Sequence, residues 1–317
     1  MADKPKATRD GFGEGLVELG KTNKDVVVVS ADLTESTRAN WFKKEFPDRF
    51  FAIGIAEQDM FGTAAGLALS GKVAFACTFA VFASGRAWDQ LRISLCYMNL
   101  NVKIGATHGG ISVGPDGATH QALEDIAIMR ALPNMKVIVP ADAYEAKKAT
   151  IAAAMCQGPV YIRTGRSAVP YVSAPEEDFK IGKAKMLVDG KDVCIIACGV
   201  MVYNAIEAAK ALKEKGISAR VLNMHTIKPV DEQAVIAAAK DTGAIVTCEE
   251  HSVIGGLGSA VAEVMAKKGP CAPVEMIGTQ DIFGESGEAS ELMKKYRLMP
   301  EDIVVAVQKA IARKRSR

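Results

Sequence analysis

Residues Phe51–Ala80 read FAIGIAEQDMFGTAAGLALSGKVAFACTFA. The run opens with a short apolar stretch, FFAIGI from Phe50. It continues into a segment, Glu57–Leu69, whose Met60, Ala64, Leu67 and Ala68 recur at helical spacing and make one apolar face. It closes on KVAFACTFA, Lys72–Ala80, a β-rich run with no polar alternation. A strand without alternation is covered on both faces, as in a parallel sheet with helices on either side. The unit is therefore strand, helix, strand.

Working outward, the same unit recurs. Asp25–Leu33 (DVVVVSADL), Asn101–His108 (NVKIGATH), Met135–Asp142 (MKVIVPAD) and Pro159–Arg166 (PVYIRTGR) read as further strands. Thr8–Thr22 and Ala83–Met98 read as helices between them. Near Ser167–Lys183 the pattern lapses into prolines, small residues and acids, which suits a connection between domains. The alternation then restarts, with SARVLNMHTIKP (Ser218–Pro229) read as one strand and its exit turn, and AIVTCEEHS (Ala244–Ser252) as another. The expected architecture is two α/β domains, each with a mostly parallel sheet flanked by helices. The first spans 1–170, a linker 171–184 and the second 185–317.

Composition sets bounds. Of 317 residues, 49% are hydrophobic and 24% charged, the balance of a globular protein. The net charge of +2 gives no reason to expect nucleic acid or an anionic membrane as partner. The basic tail, Ala312–Arg317, reads as a frayed, solvated end. Seven cysteines, without a CxxC pair, read as reduced and mostly buried thiols. With no apolar leader core and no run long enough to span a bilayer, a cytoplasmic location is expected.

In open α/β sheets ligands gather at the carboxyl ends of strands. The polar residues there are Ser30, Asp32, Glu57, Thr78, His108, Arg163, Arg166, Glu249, Glu250 and His251. Glu57 opens a helix, where the dipole alone favours an acid. Set against apolar walls, it could instead hold or share a proton. Thr107–Met129 is a long glycine-rich loop carrying His108, Asp116 and His120, suited to holding hydroxyl oxygens and moving protons. The two histidines lie 12 apart with no cysteine beside them, so no structural metal is expected. Arg9, Ser36, Arg38, Arg163 and Arg166 could meet phosphate. Phe79 and Phe82 could stack on a flat heterocycle or pack in the core. The turn GGLGSA, Gly255–Ala260, is only part of a dinucleotide pattern and reads as close packing of strand on helix.

Several segments together resemble the C-terminal half of transketolase, its pyrimidine-binding domain followed by its C-terminal domain. They are ATR (Ala7–Arg9), SADLTES (Ser30–Ser36), GIAEQDM (Gly54–Met60), TFAVF (Thr78–Phe82), THGGISVGPDGATHQ (Thr107–Gln121), PNMKVIVPAD (Pro133–Asp142) and FGESG (Phe283–Gly287). Order and spacing agree along nearly the whole chain. The resemblance implies a thiamine diphosphate-dependent enzyme. Glu57 would contact N1′ of the aminopyrimidine and favour the imino tautomer that activates the thiazolium carbon. Phe82, with Phe79 nearby, would stack on that ring, and Asp32 would shape the pocket or orient an arginine. His108, Asp116 and His120 would surround the donor ketose. Arg9, Ser36 and Arg163 would meet the sugar phosphate. His251 takes no implied role.

The sequence also departs from the family. Gly85 stands where an aromatic often follows the phenylalanine pair. The loop reads HGGISVGPDG where larger enzymes have HDSIGLGEDG. No GDG motif is found, so the diphosphate and Mg²⁺ ligands are expected on another chain. The implied protein is the C-terminal subunit of a split transketolase, moving a two-carbon ketol unit from a ketose phosphate to an aldose phosphate. Its partner would be an N-terminal subunit carrying the GDG motif, in a heterotetramer that self-associates through a dimeric core. A pentose phosphate, a branched sugar phosphate or another ketose would fit. Two other readings stand beside it: a beta-type subunit of a 2-oxoacid dehydrogenase, and a non-catalytic interaction subunit of the same fold.

Overall fold

The structure, a computed structural model, describes residues 4–315. The chain enters with β1 (Lys6–Ala7) and a helix, Thr8–Thr22. Six strands follow in the first half: β2 (Val26–Ser30), β3 (Phe50–Ala52), β4 (Val73–Phe79), β5 (Val102–Thr107), β6 (Lys136–Ile138) and β7 (Val160–Arg163). The two-residue β8 (Ala168–Val169) pairs antiparallel with β1. The second half holds β9 (Lys185–Val188), β10 (Val193–Ala197), β11 (Ala219–Asn223), β12 (Thr226–Lys228), β13 (Ile245–Ser252) and β14 (Val274–Thr279).

These strands build two main sheets. The first runs β12-β6-β7-β5-β4-β2-β3 and is parallel except for β12. The second runs β14-β13-β10-β11-β9 and is parallel except for β9. The two α/β units with mostly parallel sheets are as the sequence implies. The reason is local: β2 is VVVVS and every residue of it is buried, so it needs helices on both faces. One apolar cluster runs across both units, from Val29, Phe61 and Leu91 to Ile196, Leu222 and Val261. The two sheets thus share a core.

Three local expectations need correction. Ser218–Pro229 is two strands, and β12 leaves its own unit to pair with β6. The crossing is fixed by backbone bonds from Val139 N to the His225 carbonyl and from Met224 N to the Ala197 carbonyl, both 2.8 Å. Ala83–Met98 is not one helix. A helix over Ala80–Arg86 stops at Ala87 (φ −125°), and Leu91–Tyr97 winds as a π-helix. The basic tail is not frayed as far as it is described: the last helix runs Pro300–Arg315, and Lys314 Nζ donates to the Thr242 carbonyl at 2.6 Å. Ser316 and Arg317 lie outside the described residues.

Among the described residues no helix is long and apolar enough to cross a membrane. Cys77, Cys96, Cys194, Cys198 and Cys248 are buried. Burial pushes the Cys194 thiol up to about 12 and Cys96 to about 11.

Candidate active site

The site lies at the carboxyl edge of the first sheet. The helix Glu57–Leu69 begins with Glu57, which is 5% exposed. Its Oε1 accepts from Arg86 Nη1 at 2.9 Å. The sequence leaves Glu57 facing apolar walls; the structure gives it a guanidinium as partner. Arg86 ends the helix Ala80–Arg86 and lies one turn beyond Phe82, so the two share a face. Its Cζ stands 3.9 Å from the Phe82 ring centroid.

From there the contacts form a row. Phe82 and Phe79 stack at 5.8 Å, their planes 19° apart. Phe79 stacks on His108 at 3.8 Å, and His120 presents its edge to Phe82 at 5.3 Å. Arg9 Nη1 reaches His108 Nε2 at 3.2 Å and the Ser36 carbonyl at 3.0 Å. An arginine can only donate, so Nε2 accepts and Nδ1 carries the proton toward Thr107 Oγ1, 2.8 Å away. Burial pushes the His108 imidazole down to about 3, helped by Arg9 and Arg166. His108 is therefore neutral near pH 7, a hydrogen-bonding group rather than an acid. It holds φ +60°, uncommon for a residue with a side chain.

The histidine loop closes the row. Asp116 pairs with Arg166 Nη1 at 2.9 Å, and both are partly exposed. Thr119 Oγ1 lies 2.8 Å from His120 Nδ1. The second unit pins the loop from behind. Glu250 accepts from Ser112 N, and Gln121 Nε2 donates to the Glu285 carbonyl at 2.9 Å. Ser286 Oγ donates to the Pro115 carbonyl at 2.6 Å. Gly110, at φ +96°, allows this approach: a Cβ there would overlap the Glu250 carboxylate.

Arg163 lies apart from this row, and among the described residues Asp32 lacks an arginine partner. Arg163 is turned into the interior. It is 5% exposed, with Nε on Asp125 Oδ2 at 2.8 Å and Nη2 on the Ala122 and Glu250 carbonyls at 2.9 and 3.0 Å. Tyr161 donates to the same Asp125 oxygen at 2.8 Å. Arg163 is thus consumed by the interior, as the last residue of fully buried β7. Arg166, three residues on, takes the exposed position. Asp32 stands exposed at φ +57°, and among the described residues it pairs with no arginine. Arg38 instead binds Asp10 at 2.6 Å.

His251 is buried between the units, with Nδ1 2.6 Å from the Ser252 carbonyl and Nε2 accepting from Ala127 N at 3.4 Å. The turn at Gly255–Ala260 is closed by the protein's own carboxyl group. Glu249 accepts from Leu257 N at 2.6 Å and Gly258 N at 2.8 Å. A Cβ on Gly256 would overlap Glu249 Oε2. A carboxyl group thus fills the helix N-terminus where a phosphate could otherwise bind.

Arg86 is the contributor that the sequence leaves unmarked, and Glu250, noted only as a strand-end acid, turns out to hold the histidine loop. Only the four-residue spacing of Phe82 and Arg86 within one helical segment could have pointed to Arg86.

Comparison with known proteins gives the family. Residues 4–172 match the family model of the transketolase pyrimidine-binding domain, and 182–303 that of the transketolase C-terminal domain. A putative transketolase C-terminal section from Methanocaldococcus jannaschii is 53% identical over 300 residues, covering 94% of each chain. A subunit of an apulose-4-phosphate transketolase from Phocaeicola vulgatus is 43% identical, covering 96% of this chain and 97% of its own. A solved split-gene transketolase, described as an inactive beta4 tetramer, superposes with a TM-score of 0.90 at 51% identity, covering 98% and 99%. The chain belongs to the transketolase family, as a C-terminal subunit of the split kind.

Proposed function

We propose that this chain carries the pyrimidine half of a thiamine diphosphate site and transfers a two-carbon ketol unit between sugar phosphates, in complex with a separate N-terminal subunit. The observation that carries the reading is the row itself. A buried carboxylate on a helix N-terminus, an aromatic face beside it, a neutral imidazole and an exposed arginine lie side by side along one sheet edge.

The residues present fit the cofactor's aminopyrimidine. Glu57 offers a carboxylate held from water, and Phe82, with Phe79 behind it, offers a flat apolar surface. Thiamine diphosphate, when bound, supplies a nucleophilic carbon that no side chain provides. Glu57 holds or returns a proton at the ring nitrogen. His108, neutral and fixed by Arg9 and Thr107, and His120 hydrogen-bond donor hydroxyls. Asp116 binds a sugar hydroxyl. Arg9, with Arg166 in the place that the sequence suggests for Arg163, neutralises the phosphate, with Ser36 beside them. Asp32 bounds the pocket.

Among the described residues no three His, Cys, Asp or Glu side chains group to hold a metal. We assign the Mg²⁺ and diphosphate ligands to the partner, because the sequence carries no GDG motif. The relative solved as an inactive beta4 tetramer supports a chain that needs another. Exposed apolar groups on this unit fit that need: Ile55, Leu69 and Tyr97 are 75, 62 and 83% exposed, and Gly62 and Gly66 face open space on the Glu57 helix. Groups of this kind are ones that an interface would cover. We assign them to the partner and to self-association into a heterotetramer in the cytoplasm.

The test is a tagged pull-down from the source cell, read by mass spectrometry. Capture of a chain with a GDG motif, together with thiamine diphosphate, supports the proposal. Capture of a lipoyl-domain partner instead would move the reading to a 2-oxoacid dehydrogenase subunit.

A further inference from the structure

Arg86 occupies the position the proposed cofactor needs. Its guanidinium is planar and cationic. One face lies on Phe82 at 3.9 Å, and one edge donates to Glu57 at 2.9 Å. An aminopyrimidine in that site would present the same pair of features, a π face to Phe82 and a ring nitrogen to Glu57. A ring bound that way would take the Phe82 face and the Glu57 oxygen that Arg86 holds.

We propose that Arg86 is a placeholder for the aminopyrimidine. In the unloaded subunit it covers the Phe82 face and satisfies the Glu57 carboxylate, and cofactor loading displaces it. The inference rests on the cofactor reading above. Its physical basis is the cost of a buried, unpartnered carboxylate, which Arg86 removes. Glu57 is 5% exposed while the Arg86 side chain is 50% exposed, so the arginine can swing into solvent without a new cavity. Beside it, Gly85 has open space around the position a Cβ would take. The sequence departure at Gly85 thus leaves room next to the arginine.

A placeholder taxes binding. The apparent affinity falls by the fraction of molecules in which the site is open. A lysine would pair with Glu57 but could not reproduce the flat, stacked fit.

The experiment uses the chain in complex with its partner and titrates thiamine diphosphate with Mg²⁺ by calorimetry. Arg86→Ala and Arg86→Met are expected to bind about tenfold tighter than wild type, with Arg86→Lys between. Millimolar methylguanidinium is expected to weaken binding to Arg86→Ala back toward wild type and to leave wild type unchanged. Equal or weaker binding by both apolar variants overturns the placeholder while leaving the cofactor reading intact. No binding by wild type or any variant overturns the cofactor reading, and the placeholder with it. Thermal melting of each complex checks that the variants are folded.

Discussion

The carboxyl edges of the two sheets carry similar residue types and use them in opposite ways. At the first sheet, Glu57, His120, Asp116 and Arg166 belong to the row of contacts described above, and three of the four are partly or wholly exposed. At the second, Glu249, Glu250 and His251 are all buried. Glu249 caps its own following helix, Glu250 holds the histidine loop, and His251 binds backbone on both units. One edge leaves polar groups and their ion pairs at the surface; the other spends its groups on buried internal bonds. Fold alone therefore does not assign a site. The partners of each side chain do.

The sharpest way to break this contrast is at Glu57. In the reconstituted complex, Glu57→Gln should lower kcat by roughly 10²–10⁴-fold, the range of a lost proton-transfer group. The melting midpoint should stay near wild type. Wild-type turnover would remove Glu57 from the chemistry.

A pair of arginines separates the two behaviours within one strand end. Replacing Asp125 by Ala strands Arg163 in the interior and should cost about 3–5 kcal/mol in denaturant unfolding. Arg166→Met should change stability by no more than about 0.5 kcal/mol, as for an ordinary surface group. It should raise KM for the sugar phosphate instead. If Arg166→Met destabilises the fold as Asp125→Ala does, the division between interior and site is wrong.

The smallest effect concerns pH. Burial raises Glu249 from 4.5 to about 7, against the pull of the Gly258 and Leu257 amides. The folded state therefore holds this proton more tightly than the unfolded chain. The stability it contributes is complete below about 4.5 and is lost as pH rises through about 7. Measured against Glu249→Gln, the chain that keeps Glu249 should lose stability across that window. Burial lowers His251 and His225 to about 4, which slopes the other way. His225 is common to both chains and cancels in the difference; His251 Nδ1 lies 3.7 Å from Glu249 Oε2, so both chains carry His251→Gln in this comparison. Parallel profiles for the two chains would show that Glu249 does not titrate this way.

Much of the fold was legible because burial on both faces leaves an unmistakable mark, as in VVVVS. The three-residue β12 was not legible. Its sheet is chosen by β6, far away in sequence, and no local pattern records that choice. In the site, the residues on the glycine-rich loop and at the aromatic pair are brought together where the motifs place them. Arg163 and Arg166 could not be told apart, because both end the same run and only one is buried by Asp125. Arg86 was hidden for a different reason: its role depends on a partner, Glu57, in another helix.

The central claim is that this chain supplies half of a ketol-transfer site. The direct measurement is transfer of a two-carbon unit from a ketose phosphate to an aldose phosphate, with thiamine diphosphate and Mg²⁺ present. It is run with this chain alone, the GDG-bearing chain alone and the two together. Activity only in the mixture, lost with Glu57→Gln, is the predicted result. Equal activity from the GDG-bearing chain alone, or none in the mixture with any sugar phosphate tried, would contradict the account.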